Sequence, residues 1–543
     1  MSGAPVPEPV ADAKSYRAEG PVIVIAWGRG RVLARHVSTA GLAGSVVEAA
    51  AQLAANAELR AAEAQLAYTI TVTRERASWM RSVPLLAELS VVPFVEGVTV
   101  TLGEKVAHVT PDEITSAALW DNAIKTPIPD LTFGLSPAAI AKLVAKQLAA
   151  GEDEILRNGR FERVASLTLT RAPYPSNEPV TVATLHNAAR EGAVFLLKHQ
   201  DRGGRFTYRY DGRRNRELRG SGYSLPRHAG TAFFLAQAAR ALDMPSARQG
   251  ALAALRFVRE NVLKSCGSEA QACVAFDDRP DMGAAALTAL AAAEVLAGGD
   301  DPEARDLLVR LTAFIRSMQR KDGELMHVYD LRANKPIDVQ KMYYSGEAAV
   351  ALLAAHRVLG DQRDLDAVRP LMHHLTGAGW SFFGSRYFYG EEHWTCQAVA
   401  AAADRMDMGD ALDFCLRWLG YQRALLYQPG ETPWPVAGAI GVSPVIVPRL
   451  TSVASRVEAG APIYTMAKAQ GHDVAELGAQ MEAHLGLLMR MRFAPGPVHL
   501  MRDPLAARGG IPATQGSLEV RNDFVQHAGS AMLAWADVLK RRQ

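Results

Sequence analysis

Cysteine is scarce in this sequence, and its spacing follows no binding motif. Four cysteines occur among 543 residues, at Cys266, Cys273, Cys396 and Cys415, and none stands in a CxxC pair. So few cysteines in so long a chain do not make a disulfide framework, and the absence of CxxC and HExxH excludes the common zinc motifs. We therefore expect reduced thiols, a cytoplasmic location and no bound metal.

Long apolar runs and a strong charge of either sign are also lacking. No stretch of about 18 uncharged apolar residues occurs, so a membrane span is not expected. Residues 1–20 are rich in Pro, Ala and charge and lack the apolar segment of a signal peptide, so we predict a disordered tail. The net charge is only +2, which argues against a nucleic-acid partner, because phosphate binding usually leaves a basic stripe on the protein.

The usual cofactor motifs are missing as well. There is no P-loop and no GxSxG. The GRGR stretch from Gly28 follows a strand pattern but lacks the rest of a dinucleotide fingerprint. The sequence therefore predicts no cofactor.

Apolar residues are plentiful, and their pattern divides the chain in two. They make up 49% of the sequence, enough for a large core, and the length suits two domains. Residues 21–175 mix β-branched runs with helical patterns, which predicts an α+β domain of unknown role. Its order of elements resembles that of AMMECR1-like domains, but GRVLARHVSTAGLAG stands where that family has a cysteine-bearing stretch.

Residues 180–543 alternate between two kinds of helix. One kind is amphipathic, as in PEARDLLVRLTAFIRS, and the other is apolar nearly all round, as in MGAAALTALAAAEVLA. A helix that is apolar on every side is buried on every side, so we assign the first kind to an outer layer and the second to an inner layer. The outer helices are predicted to begin near Thr181, Ser246, Pro302, Asp364, Met408 and His472, and their inner partners near His228, Asp281, Glu347, His393, Pro448 and Asp523.

These six pairs predict a mainly α fold, an (α/α)6 toroid of six helical hairpins preceded by the smaller α+β domain. No pair can bury its own faces, and an open solenoid needs polar end caps, for which the sequence offers no candidate. The loops also repeat. An offset of 119 residues places Gln200 on Gln319 and His228 on Glu347, with a glycine and a tyrosine matching between them.

The predicted starts of the inner helices carry polar side chains, which parallel helices would place in one ring at one end of the toroid. Histidine titrates near neutral pH, arginine binds carboxylates in a bidentate manner, and tryptophan offers a face to a sugar ring. Each of these residues also fits a structural role as a helix cap or a packed core residue. We predict catalytic roles for His228, Asp281, Glu347 and His393, and substrate binding by Arg227, Tyr344, Trp394, Asp523, Gln526 and His527.

The helical half resembles the six-hairpin glycosidase-like superfamily of (α/α)6 toroids. The resemblance covers residues 180–540 and lies in the six helix pairs and in stretches such as YSLPRHAGTAFFLAQAARALD and YYSGEAAVALLAAHRVLGD. That superfamily includes hydrolases, lyases and sugar epimerases, with the pocket where the inner helices meet the loops. The resemblance implies an enzyme that acts on a carbohydrate or on a sugar-containing substrate.

Two chemistries fit the predicted ring, and a third possibility is that the toroid only binds. In glycoside hydrolysis, Asp281 and Glu347 serve as acid and as base or nucleophile. In lyase or epimerase chemistry, His228, His393 or a tyrosine takes a proton beside a uronate carboxylate held by Arg227. A non-catalytic toroid would bind a glycan or a peptide, with the N-terminal domain mediating assembly. The sequence leaves the oligomeric state open.

Overall fold

The computed structural model describes most of the chain, in ten ranges. These are residues 18–61, 66–120, 124–125, 132–170, 178–218, 222–377, 392–432, 436–441, 448–493 and 498–542. The predicted disordered tail lies outside these ranges except for its last three residues. The described chain forms a sheet with its own helices, followed by a ring of helical hairpins.

The N-terminal part, within the described residues up to 170, contains eight strands and six short helices. The strands are β1 (Val22–Gly28), β2 (Arg31–Ser38), β3 (Leu66–Ser78), β4 (Glu96–Leu102), β5 (Lys105–Val109), β6 (Ile124–Lys125), β7 (Thr132–Phe133) and β8 (Arg160–Thr170). The helices are α1 (Gly41–Ala55), α2 (Ala57–Ala61), α3 (Pro84–Leu89), α4 (Pro111–Ser116), α5 (Pro137–Leu148) and α6 (Glu152–Asn158). Six strands form an antiparallel sheet in the order β2-β1-β3-β8-β4-β5.

Strand β1 is apolar along its whole length because both of its faces are covered. Ile23, Ile25 and Trp27 pack into the core of the helical ring, while Val22 and Val24 belong to a second core that includes residues of α1. Successive side chains of a strand point to opposite faces, so the two sets alternate. The apolar run that predicts this strand therefore also reflects how the sheet docks on the helices.

The C-terminal part alternates outer and inner helices, and the described ranges contain six of each. The outer helices are α7 (Val182–Lys198), α9 (Pro245–Asn261), α11 (Pro302–Ser317), α13 (Gln362–Thr376), α15 (Ala411–Ala424) and α17 (Ala475–Met491). The inner helices are α8 (Leu225–Ala241), α10 (Met282–Ala297), α12 (Tyr344–Leu359), α14 (His393–Ala402), α16 (Leu450–Ala469) and α19 (Asn522–Arg542). The loops carry α18 (Pro504–Ala507), a 3-10 turn (Val498–Leu500), β9 (Arg209–Asp211), β10 (Arg216–Glu217), β11 (Leu263–Cys266), β12 (Ser268–Val274), β13 (Val328–Asp330), β14 (Lys335–Ile337) and β15 (Glu519–Arg521).

The inner helices form a closed ring. Each packs against the next, from α8 through α10, α12, α14 and α16 to α19, and α19 packs back against α8. The first and last helices approach each other closely at two glycines: a Cβ atom on Gly230 would press on the amide of Gln526, and one on Gly529 would overlap the ring of Phe234. The predicted (α/α)6 toroid, preceded by an α+β part, is confirmed. None of the helices in the described ranges combines the length and the apolar character needed to cross a membrane.

The loops of the first and third hairpins repeat the same contacts. The side-chain amide of Gln200 donates to the carbonyl of Gly250 on α9 (2.9 Å), and that of Gln319 donates to the carbonyl of Ala367 on α13 (2.8 Å). Each amide also donates to the glycine turn of its own loop, at 3.1 and 3.0 Å. The offset of 119 residues in the sequence therefore corresponds to one structural role, the attachment of a loop to the neighbouring outer helix.

The four cysteines pair as two disulfides. Cys266 and Cys273 lie on the two strands of the β11–β12 hairpin, with Cα atoms 5.9 Å apart, and Cys396 of α14 joins Cys415 of α15 across 5.7 Å. The expectation of reduced thiols is wrong, because the fold brings together cysteines whose spacing follows no motif. The cytoplasmic location stays a prediction.

Candidate active site

A cavity of about 480 Å³ lies at the N-terminal ends of the inner helices. Side chains from all six inner helices, α8, α10, α12, α14, α16 and α19, line it. Eight of the ten residues predicted as site residues are among them: Arg227, Tyr344, Glu347, His393, Trp394, Asp523, Gln526 and His527. Closure of the ring brings these side chains together from both ends of the helical half.

Two histidines lie side by side in this cavity. His393 is the first residue of α14, and His527 lies in the second turn of α19, with the two ring centroids 6.0 Å apart. The ring of Trp394 is 5.4 Å from that of His393 and 6.4 Å from that of His527. Tyr343 adds a further ring 5.8 Å from His393. The pair of imidazoles therefore sits in an aromatic wall.

His527 is held by a buried carboxylate. Its Nδ1 atom lies 2.6 Å from a carboxylate oxygen of Glu458, which extends from the middle of α16. Burial alone disfavours the charged imidazole, but the charge and hydrogen bond of Glu458 outweigh that effect and raise the pKa of His527. The imidazolium form is therefore more populated near neutral pH than in an ordinary histidine.

Arginines and one carboxylate form a second wall. Asp523 lies 3.2 Å from the guanidinium of Arg227 and accepts two hydrogen bonds from Arg521, at 2.6 and 2.9 Å. Burial raises the pKa of Asp523, but the two arginines more than compensate and hold it below its usual value. Arg449, at the start of α16, lines the same cavity. This wall carries a net positive charge.

Glu347 contributes a buried carboxyl group to the same cavity. It is 5% exposed, and its Oε2 atom has no hydrogen-bond partner within the described part of the chain. Burial, and then the nearby charge of Asp281, raise the pKa of Glu347 well above its usual range. The protonated form, which can donate a hydrogen bond to a ligand, is therefore favoured relative to an ordinary glutamate.

Asp281 does not line the cavity. It accepts a hydrogen bond from the backbone N–H of Ala284 (2.9 Å) as the N-cap of α10, and another from the hydroxyl of Tyr344 (3.2 Å). Burial raises its pKa. Its position supports a role in holding Tyr344 rather than the predicted catalytic role.

His228 lies outside the cavity, although it is the fourth residue of its helix, as Glu347 is of α12. Its Nε2 atom donates to the carbonyl of Ala254 on α9 (3.0 Å), and its Nδ1 atom accepts from the hydroxyl of Tyr223 (2.7 Å). Both ring nitrogens are thus used within the protein, and burial lowers the pKa of His228 to about 4. The predicted catalytic role of this residue is not supported by its position.

Sequence reasoning missed two charged residues of the site, Glu458 and Arg521. Arg521 comes directly before α19, so it lies outside the inner-helix starts that the sequence pattern marks. Glu458 stands in the stretch SVASRVEAGA of α16, where Arg456 is the other charged residue among small and apolar ones. A carboxylate in the buried middle of an inner helix was the signal that could have found it, because such a group requires a partner.

The described residues contain no group of three or more His, Cys, Asp or Glu side chains arranged to hold a metal ion. The side chains that line the cavity include two imidazoles, a buried carboxyl group, a positively charged wall and aromatic rings. Such a set can bind a polar ligand and move protons on it.

Solved structures with the same ring of hairpins define the fold class. No protein-family model matches the sequence, and no curated protein matches it. A sugar epimerase from a ruminal bacterium (TM-score 0.51, 13% identity) and the cellobiose 2-epimerase of Bacillus thermoamylovorans B4167 (TM-score 0.51, 12% identity) each match 66% of this chain. The matches cover 98% and 100% of those two chains.

A D-mannose isomerase matches to a similar degree, with a TM-score of 0.50 and 13% identity over 66% of this chain and 97% of its own. At these identities the similarity concerns the fold. The helical part of the protein shares the (α/α)6 toroid fold of these structures, as predicted from the sequence. The resemblance of the N-terminal part to AMMECR1-like domains stays a prediction.

Proposed function

We propose that the protein is a carbohydrate-active enzyme that epimerises or isomerises the reducing end of a sugar. The observation that carries this proposal is the pair His393 and His527, whose ring centroids lie 6.0 Å apart in one cavity. Two imidazoles at this separation can flank the carbon next to the carbonyl of an open-chain sugar. One removes the proton from that carbon, and the other supplies a proton in the return step.

The two histidines differ in their surroundings, and this suggests their roles. The pKa of His527 is raised by Glu458 against the effect of burial, so His527 suits the proton donor. His393 is then the base. Return of the proton to the opposite face of the same carbon gives the epimer, whereas protonation of the former carbonyl carbon gives the isomer.

The other lining residues suit the enediolate that forms between the two proton transfers. Arg227 and Arg521 place positive charge where the sugar oxygen becomes negative. Glu347, as a neutral acid, can donate a hydrogen bond to a sugar hydroxyl. Trp394 offers an apolar face to the sugar ring or chain.

The activities named for the three structural neighbours agree with this reaction class: a sugar epimerase, a D-mannose isomerase and a cellobiose 2-epimerase. Glycoside hydrolysis has less support, because Asp281 caps α10 and the predicted pair of Asp281 with Glu347 does not face one cavity. A uronate-specific lyase would need the same histidines and is separated from an epimerase by its unsaturated product.

The test follows proton exchange in deuterium oxide. With glucose, mannose or cellobiose, we expect the wild-type protein to incorporate deuterium next to the carbonyl carbon and to form the epimer or the ketose, both visible by NMR. His393→Asn and His527→Asn should each lower the rate about a thousandfold. His373→Asn, which changes an exposed histidine on the outer helix α13, is the matched control and should leave the rate unchanged.

Sugar binding without any deuterium exchange would contradict the proposed reaction and would favour the non-catalytic toroid. If either cavity variant lost its fold, as seen by circular dichroism, the role of that histidine would be structural. Full activity in both variants would also overturn the assignment.

A further inference from the structure

A second cavity, of about 320 Å³, adjoins the candidate active site. Three side chains line both cavities: Arg449 at the start of α16, and Arg521 and Phe524 at the start of α19. The guanidinium of Arg521 lies 4.4 Å from the ring centroid of Phe524, so these two side chains form a single divider. A ligand longer than one sugar unit would have to extend across this divider to occupy both cavities.

The outer wall of the second cavity comes from the N-terminal part of the chain. Thr115 and Ala118 line it together with Trp120, whose indole N–H donates to the hydroxyl of Thr115 (2.9 Å). The loop of the toroid that carries Gly516 lies directly on this tryptophan, since a Cβ atom on Gly516 would be 2.5 Å from the Cγ atom of Trp120. The N-terminal part therefore completes a cavity of the toroid.

Positive charge predominates in the second cavity. Four arginines line it, namely Arg209, Arg213, Arg449 and Arg521, against the two carboxylates Asp211 and Glu519. Arg209 forms a bidentate ion pair with Glu519, and Arg521 forms one with Asp523 of the active-site wall. Two long hydrogen bonds, 3.3 and 3.4 Å, join Arg213 to Asp211, which also accepts a hydrogen bond from Arg214 (3.1 Å).

We propose that the second cavity binds an anionic unit of a saccharide whose reducing end occupies the active site. This inference rests on the proposed function and adds a substrate class to it. The volume lies at the lower end of the range for small-molecule sites, which suits one further sugar unit. Arginine forks recognise a carboxylate with two parallel hydrogen bonds, so a uronate is the unit that this wall fits.

Arg213 is the specificity residue in this assignment, and the chain supplies a matched control. Arg213 and Arg214 are adjacent and share the partner Asp211, but only Arg213 lines the cavity. Substitution of either residue removes one positive charge and its side-chain hydrogen bonds to Asp211, two for Arg213 and one for Arg214. Only the substitution of Arg213 changes the wall that faces the ligand.

The experiment compares two disaccharides with the same reducing glucose, one with a glucuronyl unit at the other end and one with a glucosyl unit. Binding is measured by isothermal titration calorimetry, and turnover by deuterium exchange. We expect the wild-type protein to bind the acidic disaccharide about tenfold or more tightly than the neutral one. Arg213→Gln should abolish this preference, while Arg214→Gln should keep it.

Equal binding of the two disaccharides by the wild-type protein, or failure to bind either, would overturn the inference. Equal effects of the two arginine substitutions would overturn it as well, because they would reflect net charge alone. Preferential binding of the acidic disaccharide without deuterium exchange would support the inference and contradict the proposed reaction instead.

Discussion

At the scale of single residues, the cavity owes its chemistry to burial and to the charges of neighbouring groups. Glu458 favours the proton on His527, and burial, together with the charge of Asp281, favours the proton on Glu347. The two effects favour an imidazolium and a carboxylic acid around the same space. In water each of these side chains would lose its proton at a lower pH.

Glu458→Gln should lower both the activity and the pKa of His527. The amide keeps the shape but removes the negative charge that stabilises the imidazolium. If His527 is the proton donor, activity falls as the pH rises through its pKa, so the variant should lose activity at a lower pH. We expect the alkaline limb of the pH–rate profile to move to lower pH and kcat to fall at least about tenfold.

Glu482→Gln on the outer helix α17 controls for the loss of a carboxylate, since Glu482 is half-exposed and pairs with Arg542. Its pH–rate profile should match that of the wild-type protein. An unshifted profile in Glu458→Gln would contradict the role assigned to the buried carboxylate.

At the scale of elements, the toroid is held in register by loops that touch the next outer helix. Gly323 adopts a left-handed backbone (φ +92°) in the loop after α11, and a Cβ atom there would overlap the carbonyl of Pro370 on α13. Gly360, at the end of α12, is also left-handed (φ +72°), but a Cβ atom there would meet nothing within 4 Å. Gly360 therefore shows the cost of a side chain on a left-handed backbone alone, whereas Gly323 adds the cost of a steric overlap with the neighbouring helix.

Gly323→Ala should therefore destabilise the protein more than Gly360→Ala. A left-handed alanine alone costs about 1 kcal/mol, and the overlap with a helix carbonyl adds to it. We expect losses of about 1 kcal/mol for Gly360→Ala and about 3 kcal/mol or more for Gly323→Ala, measured as the free energy of unfolding in urea. Equal losses would mean that the loop does not fix the spacing of the outer helices.

At the scale of the whole molecule, burial keeps many histidines neutral. Burial is the largest cause that lowers the pKa to about 4 for five of them, against an ordinary value of 6.5: His108, His199, His228, His327 and His484. The unfolded chain binds protons at these groups between pH 6.5 and pH 4, whereas the folded chain does not. Their contribution to stability is therefore complete above pH 6.5 and is lost as the pH falls towards 4.

We expect the free energy of unfolding to decrease steadily between pH 6.5 and pH 4, as measured by urea unfolding across this interval. His228→Gln should flatten the slope, because it removes one of these groups, and should leave kcat at neutral pH within about threefold. An unchanged dependence of the unfolding free energy on pH would contradict the contribution assigned to His228. A large loss of kcat in a folded variant would restore the catalytic role predicted for His228.

The pattern of apolar residues was sufficient to predict the helix pairs, because it records burial directly. A helix such as α10, apolar on all sides, can only be an inner helix, and one such as α11, apolar on one side, can only be an outer one. The starts of the inner helices followed from the same pattern. Eight predicted site residues therefore line the cavity.

The tertiary structure alone decided which way each of these side chains points. His228 and Glu347 have the same position on their helices, yet one bonds to the outer helix α9 and the other lines the cavity. Glu458 became a site residue only when ring closure brought α16 beside α19. The sequence by itself thus determined the six hairpins and their order, since burial leaves a periodic pattern in it. The partners of each polar side chain depend on how each helix is rotated and on how the ring closes. Neither leaves a periodic pattern in the sequence.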